Sequence, residues 1–239
     1  MLINTKTLYG RKLAAKDGLI GHVRDLYFDD ETWVIRYVVA DTGSWLSGRL
    51  VLLSPYAFAS LKADEKALQV RLFIKQIEKS PSIESHKPVS RQFEEEYHTY
   101  YAWPGYWQGT EMWGISGYPM VVPPAELAAH EAQHTRKDPH LRSTAAVTGY
   151  HIEALDGTIG HVTGFRMDEK SWAIRDMVVE AGPWYYGKEI FVLASEVSRI
   201  SVGESKVYVK LTKADIQRTG DAELAKAGAG VGEQAAFTD

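Results

Sequence analysis

The heptapeptide DGLIGHV at residues 17–23 returns as DGTIGHV at residues 156–162, and this pair of segments decides the fold. The offset between the two is 139 residues (156 − 17). The same offset, without a gap, pairs identical residues along the whole span, among them Gly10 with Gly149, Trp33 with Trp172, Trp45 with Trp184, Gly48 with Gly187 and Ile77 with Ile216. One constant offset that carries glycine and tryptophan identities predicts two copies of one module.

Each copy has the pattern of short strands joined by tight turns. Asp17-Gly18 and Asp156-Gly157 are typical of β-hairpins, because glycine reaches positive φ without steric cost. Alternating or β-branched runs predict strands at residues 21–28, at residues 33–40 starting with Trp33, at residues 50–53 and at residues 68–72, followed by a helical turn at residues 74–79. A module of this size cannot build a two-layer α/β core, so a small antiparallel barrel without exposed strand edges is expected.

The sequence therefore predicts a mainly β protein with two small antiparallel β-barrels related by the internal repeat. The first barrel is assigned to residues 1–80 and the second to residues 144–219. Residues 81–143 form an aromatic, partly helical connector, and the Gly/Ala-rich residues 220–239 form a flexible tail.

Composition excludes several classes of function. The absence of cysteine removes thiol catalysis, cysteine-ligated zinc and iron–sulfur clusters. With 27 Lys and Arg against 31 Asp and Glu, the net charge is −4, so direct DNA binding is not expected. No apolar run approaches the length of about 18 residues that a spanning helix needs, and the first residues do not resemble a signal peptide. A cytoplasmic protein without a membrane span is expected.

The repeated segments resemble the PRC-barrel family, named for the cytoplasmic domain of the photosynthetic reaction centre H subunit and found also in the ribosome maturation factor RimM. The resemblance is carried by GRKL at residues 10–13, the heptapeptide at residues 17–23, the run at residues 33–39 and the closing residues 68–70, with counterparts in the second copy. It implies a PRC-type barrel that serves as an interaction module without a common catalytic site.

Nine aromatic residues lie between residues 93 and 118, which makes the connector the most unusual part of the chain. These rings could fill an interface between the two barrels. They could instead form a surface for a protein or a second subunit, and a base-stacking platform is a third alternative. The connector residues Trp103, Tyr106 and Trp107 are therefore candidates for partner binding.

Two further candidates are the loop residues Trp45 and Trp184, each followed four residues later by a cation, Arg49 and Lys188. Their rings could pack against the aromatic connector or form exposed contact points for a partner. These four residues complete the set of partner-binding candidates.

The segment His130–His134 reads HEAQH, which is the zincin signature, and His140 follows at the spacing of a third zinc ligand. Two histidines one helical turn apart can hold zinc while the intervening glutamate acts as a base. The glycine that would turn the chain towards the third ligand is replaced by Lys137, and no catalytic domain surrounds the segment. A solvated polar helix face is the favoured interpretation, with no cofactor, and a zinc hydrolase is the disfavoured alternative.

The sequence predicts a non-enzymatic interaction or scaffold protein. By resemblance, its partner is a photosynthetic reaction centre or another membrane electron-transfer complex. The alternative is a ribosomal protein bound during ribosome maturation. A homodimer joined through the connector is plausible, because each barrel is small and the connector is rich in aromatic side chains.

Overall fold

The computed structural model describes residues 1–59, 61, 67–80, 98–103 and 140–218. These residues form a mainly β structure with two sheets and few helices. They fall into two compact units. Unit 1 lies within Met1–Ala145 and Asp168–Ala173, and unit 2 lies within Ala146–Met167 and Ile174–Asp239. The finer division into two modules, a connector and a tail remains a prediction.

The elements of unit 1 are β1 (Leu2–Asn4), β2 (Lys12–Ala15), β3 (Gly18–Asp29), β4 (Val34–Asp41), β5 (Leu50–Leu53), β6 (Ala67–Gln69), α1 (Ile74–Glu78) and β7 (Leu141–Ser143). The unit is built on a sheet with strand order β5-β4-β3-β2-β6, and β7 also pairs with β3. Short 3-10 turns at Thr5–Thr7, Gly43–Leu46 and Pro55–Ala57 connect them. Val23, Leu26 and Phe28 are buried along β3, but Val23 and Leu26 are three residues apart because the pairing with β4 shifts between Val23 and Asp25.

Unit 2 contains a sheet with strand order β11-β10-β9-β8-β13-β12. Its strands are β8 (His151–Ala154), β9 (Gly157–Asp168), β10 (Ile174–Ala181), β11 (Glu189–Leu193), β12 (Val197–Ser201) and β13 (Lys206–Val209). Helix α2 (Thr144–Val147) follows β7, 3-10 turns lie at Pro183–Tyr185 and Ala194–Glu196, and residues 213–218 are helical.

Each sheet contains one parallel pair of strands, which corrects the expectation of wholly antiparallel pairing. β2 runs parallel to β6, with Leu13 opposite Leu68. β8 runs parallel to β13, with Ile152 opposite Val207. In both units the chain reaches the edge of β2 or β8 through a crossover rather than a hairpin, so the pairing formed there is parallel.

The two hairpins predicted from Asp-Gly are present. Ala15 pairs with Gly18 across the first turn, and Ala154 pairs with Gly157 across the second. The tight turn places the long strands β3 and β9 directly beside β2 and β8, so these hairpins organise both sheets.

Trp33 was expected to begin a central strand, but it lies in the turn before β4. Its φ is 57°, in the left-handed region, and the buried indole stacks on Phe28 with ring centroids 5.4 Å apart. The Asp29 carboxylate fixes this turn by accepting the N–H groups of Glu31 and Thr32 at 3.0 and 2.9 Å. A propensity argument places tryptophan in a strand, but the side chain–backbone hydrogen bonds decide the turn.

The tyrosine pair at one cross-strand position of unit 1 is replaced by an ion pair in unit 2. Tyr27 faces Tyr37 across β3 and β4, whereas Arg166 faces Asp176 across β9 and β10. The Arg166 Nε and Nη2 groups donate to the buried Asp176 carboxylate at 2.5 and 2.9 Å. Bidentate hydrogen bonding compensates for burying the charge, so the position tolerates both chemistries.

Asp25 ties the end of the connector to β3. Its Oδ1 accepts the backbone N–H of Ala145 at 3.1 Å, and its Oδ2 accepts the Ser143 hydroxyl at 2.5 Å. Burial raises the pKa of this carboxyl above its usual value, although the hydrogen bonds from Ser143 and Ala145 oppose the shift. The contact holds β7 and Ala145 against β3 within unit 1.

Within the described ranges, no helix is both long and apolar enough to cross a bilayer. The tail assigned to residues 220–239 lies outside the described residues, as do residues 81–97 and 104–139 of the connector.

We expect Trp33→Ala to lower the free energy of unfolding by about 3 to 5 kcal/mol, the range for truncating a buried large aromatic residue. The exposed control Val202→Ala should change it by less than about 0.5 kcal/mol. Denaturant unfolding followed by far-UV circular dichroism measures both changes. A loss below about 1 kcal/mol for Trp33→Ala would contradict its role as core.

Candidate interaction surface

The hairpin of each unit is positioned by a glycine that lies against the backbone of the next strand. A Cβ added at Gly21 would lie 1.9 Å from the Asp41 carbonyl oxygen, and one at Gly160 would lie 2.0 Å from that of Glu180. Both residues have positive φ, 127° and 157°. The pairing of β2 with β3 shifts beside Gly21, and that of β8 with β9 shifts beside Gly160. The glycines thus permit an irregular, close crossing that directs the hairpin.

The loop tryptophans are anchored to these hairpins. The Trp45 indole N–H donates to the carbonyl oxygen of Ile20 at 3.1 Å, and the Trp184 N–H donates to that of Ile159 at 2.5 Å. The Trp45 side chain is 40% exposed and that of Trp184 is partly buried. The polar atom of each indole is therefore used internally, and one part of the ring remains available at the surface.

The turn aspartates cap the helical segment at the end of each unit. Asp17 Oδ1 accepts the backbone N–H of Ile74, the first residue of α1, at 2.8 Å. Asp156 Oδ1 accepts the N–H of Lys213, the first residue of the helical segment 213–218, at 3.0 Å. Both contacts span 57 residues. Each carboxylate satisfies an N–H that the helix leaves unpaired, and its negative charge is favourable at a helix N-terminus.

These contacts bring a set of apolar and basic side chains, most of them exposed and the rest partly buried, to the end of each hairpin. We call Lys16, Leu19, Trp45, Phe73 and Lys75 the unit 1 tip, and Leu155, Trp184, Tyr186, Lys188 and Lys213 the unit 2 tip.

In the unit 1 tip, Leu19 is 60% exposed and Phe73 is 48% exposed. The Lys16 ammonium lies 4.9 Å from the Phe73 ring centroid. Lys75 is exposed on α1, two residues after Phe73. Apolar surface at this tip is therefore bordered by cations.

In the unit 2 tip, Leu155 is 72% exposed and Tyr186 is 86% exposed. The Lys188 ammonium lies 4.8 Å from the Tyr185 ring centroid, and that of Lys213 lies 5.9 Å from the Trp184 centroid. The same combination of apolar and basic groups occurs as in unit 1, at different positions in the repeat.

Arg49, a predicted partner-binding cation, is engaged inside unit 1. Its Nη2 donates to the carbonyl oxygens of Ile77 and Ser80 at 3.2 and 2.6 Å, and its Nη1 donates to that of Glu78 at 3.1 Å. These carbonyls end α1, so the guanidinium caps the helix C-terminus. Lys188, the counterpart of Arg49, is exposed.

The described part of the connector places Trp103 in unit 1. Trp103 stacks on Tyr101 at 4.3 Å and meets the His98 ring edge-on at 5.9 Å. His98 is buried, and its Nε2 lies 3.1 Å from the Tyr37 hydroxyl of β4. The other two connector candidates, Tyr106 and Trp107, lie outside the described residues.

Of the three histidines considered for zinc, only His140 falls on described residues; His130 and His134 do not. The His140 Nδ1 lies 2.9 Å from Asp30 Oδ1, and its Nε2 lies 3.4 Å from Glu31 Oε1. Arg142 Nε also pairs with Asp30, at 2.7 Å. No group of three histidine or acidic side chains suited to a metal ion occurs in the described part of the chain.

Sequence reasoning missed Leu155, Tyr186, Leu19 and Phe73 as surface candidates. A signal was available at Leu155, because turn positions usually hold polar residues or glycine and a leucine has no conformational reason to be there. Tyr186 offered no such signal, because its left-handed backbone, with a φ of 58°, is a property of the folded chain.

Gly21→Ala should destabilise the protein by at least about 3 kcal/mol, because the new methyl group has no space beside the Asp41 carbonyl. Gly43→Ala is the matched control, since Gly43 also has positive φ but no atom within 4 Å of the added Cβ. The control should lose only about 1 to 2 kcal/mol from backbone strain. Equal losses in thermal or denaturant unfolding would contradict the close-approach argument.

Asp17→Ala should cost about 1 kcal/mol of unfolding free energy, as expected for loss of a capping side chain. Asp17→Asn should retain most of the stability, because an amide oxygen can still accept the N–H of Ile74. Amide hydrogen exchange at Ile74 provides a local readout. Unchanged protection of that amide in Asp17→Ala would show that the cap is not formed in solution.

Residues 5–76 match the family model of the PRC-barrel domain. A PRC-barrel domain is therefore found in unit 1, and it includes the whole unit 1 tip. No curated protein matches the chain.

Proposed function

We propose that this protein is a non-enzymatic interaction module made of two PRC-type units, one at residues 1–80 and one at residues 144–219. Its partner would be a membrane-bound electron-transfer complex of the reaction-centre type. The proposal for the first unit starts from the PRC-barrel domain at residues 5–76. The second unit extends it to a region that the family model does not cover.

Equivalent backbone features at the offset of 139 residues support a second PRC-type unit. β3 and β9 have the bounds Gly18–Asp29 and Gly157–Asp168. Each unit contains a glycine that lies against the next strand, a loop tryptophan that donates to an isoleucine carbonyl and an aspartate that caps a helix. Such a set of matched irregular features is difficult to explain without a common fold.

The observation that carries the interaction function is the exposed apolar surface of the two tips. Leu155 and Tyr186 are 72% and 86% exposed although nothing in their local backbone requires an apolar side chain. Clustered exposed apolar groups of this kind mark binding surfaces in folded proteins. Trp45 adds a partly exposed ring on a loop that is held rigidly by its indole N–H.

The connector provides a second contact region for a protein partner. Tyr100 is 40% exposed, and its hydroxyl donates to the carbonyl oxygen of Gln76 at 2.8 Å. Together with Trp103, it presents an aromatic surface fixed to α1 and β4. Aromatic side chains fixed in this way lose little conformational entropy when they bind, which favours their use in protein interfaces.

Site-specific photo-crosslinking tests the function. A photoreactive p-benzoylphenylalanine is placed at Tyr100 or at the exposed Ser44 beside Trp45, and a control carries it at Val202, which is 53% exposed in the turn between β12 and β13. Each protein is irradiated in an extract of the native host that contains its membranes. We expect subunits of a membrane electron-transfer complex to be crosslinked from Tyr100 or Ser44 and not from Val202.

Crosslinks to ribosomal proteins from the same positions would instead support the ribosome-maturation alternative. Crosslinks that are absent or equal at all three positions would contradict the proposed interaction function. A crosslink to a second copy of the chain, with no other protein, would leave self-association as the interaction.

A further inference from the structure

We infer that the two hairpin tips dock on an anionic lipid surface. The inference rests on the proposed function, since a membrane-bound partner would bring the protein to such a surface, and it names the lipid around that partner as a surface that the tips enter.

The tips are built beside turns and not in a groove: in unit 1, Leu19 is the second residue of β3, directly after the turn between the paired Ala15 and Gly18. Leu155 lies in the two-residue loop between the paired Ala154 and Gly157, and Tyr186 ends the 3-10 turn at Pro183–Tyr185. Side chains at such positions project away from the sheet. A stable protein contact buries about 800 Å² on each partner, and the side chains of one tip supply only part of such an area. A lipid interface has no such threshold, because every inserted apolar group adds to the affinity.

The chemistry of the tips also suits the boundary between headgroups and acyl chains. Leucine and phenylalanine favour the apolar side, and tyrosine and tryptophan favour the boundary itself. Lysines beside them can bury their methylene groups and keep the ammonium among the lipid phosphates. Lys16 lies over Phe73, and Lys213 lies over Trp184, so cation and ring are already adjacent in both tips.

Charge complementarity selects an anionic surface. The chain as a whole carries a net charge of −4, so an anionic membrane would repel it in the absence of a local basic patch. Carboxylates also lie next to the tip lysines: the two caps, Glu78 on α1 with Lys75, Asp215 in the helical segment that Lys213 begins, and Glu189. Asp17 and Asp156 each accept a helix N–H, which offsets their charge locally. Asp215 pairs with Arg218 and accepts from the Thr212 hydroxyl, and Glu189 begins β11 beside Lys188.

The internal repeat supplies substitutions that the fold already tolerates at the equivalent position. Leu19 corresponds to Thr158, Phe73 to Thr212 and Tyr186 to Ser47. The Ser47 backbone has a φ of 55°, close to the 58° of Tyr186. The triple variant Leu19→Thr, Phe73→Thr, Tyr186→Ser therefore removes apolar groups from both tips and leaves the backbone conformations acceptable.

The matched apolar control follows the same rule. Leu193 is 51% exposed at the end of β11 and corresponds to Ser54, so Leu193→Ser removes an exposed leucine away from the tips. For charge, Lys16→Gln with Lys213→Gln removes one cation from each tip. Lys170→Gln, which is exposed beyond the far end of β9, is the charge control.

The test is co-sedimentation of the purified protein with vesicles of phosphatidylcholine containing about 30% phosphatidylserine, at low and high salt. We expect wild type to bind these vesicles at low salt and to bind pure phosphatidylcholine vesicles much more weakly. The triple tip variant should lose at least about tenfold in affinity, and the lysine double variant should lose most of the salt dependence. Leu193→Ser and Lys170→Gln should bind like wild type, and circular dichroism confirms that all variants fold.

The lipid inference is overturned if wild type does not bind the anionic vesicles or if the tip variants bind as well as wild type. These outcomes are separate from failure of the proposed function, because the vesicles contain no protein. Absent vesicle binding together with a specific crosslink from Tyr100 would leave the interaction function standing and assign the tips to a protein. Vesicle binding without any specific crosslink would contradict the partner complex and keep the lipid surface.

Discussion

The close crossing at Gly21 is the constraint on which unit 1 depends. Backbone of β3 lies so near the Asp41 carbonyl of β4 that only hydrogen fits as a side chain. This approach fixes the path of β3 next to the hairpin, and therefore the position of the Ile20 carbonyl that holds Trp45. The close approach requires glycine, which loses more conformational freedom on folding than any other residue. The same approach occurs in unit 2, where Gly160 lies against Glu180.

Polar contacts to the backbone then complete each hairpin, and this leaves the apolar tip side chains without a structural role. The Asp17 carboxylate, the Trp45 N–H and the Arg49 guanidinium all bind backbone groups in unit 1. Leu19 and Phe73 take part in none of these hydrogen bonds through their side chains, and both remain largely exposed. Different groups therefore hold the backbone and form the exposed surface. The two tips can differ in their residues while both remain apolar and basic.

Local sequence was sufficient for the hairpins and for most strands, because Asp-Gly turns and period-two alternation depend on neighbouring residues. It was insufficient wherever a side chain binds a distant backbone group. Arg49 was expected to face a partner, yet its acceptors lie about thirty residues away at the end of α1. Trp33 has strand propensity but sits in a turn that Asp29 fixes. The parallel pairing of β2 with β6 depends on a crossover that no local pattern specifies. For the candidate surface, the sequence analysis singled out the tryptophans. Tyr186 was missed because its exposure is a property of the folded unit, and Leu155 was missed although a leucine in a tight turn was a visible signal.

The bond between Asp17 and Ile74 has a consequence for synthesis on the ribosome. The first hairpin leaves the exit tunnel while its cap acceptor still lacks a donor, because the donor lies 57 residues further along the chain. Unit 1 cannot complete its native contacts until translation has passed β7 as well, because Leu141–Ser143 pairs with β3. The first hairpin therefore waits for residues that are synthesised much later in the chain, and it reaches its full set of contacts only when those residues arrive.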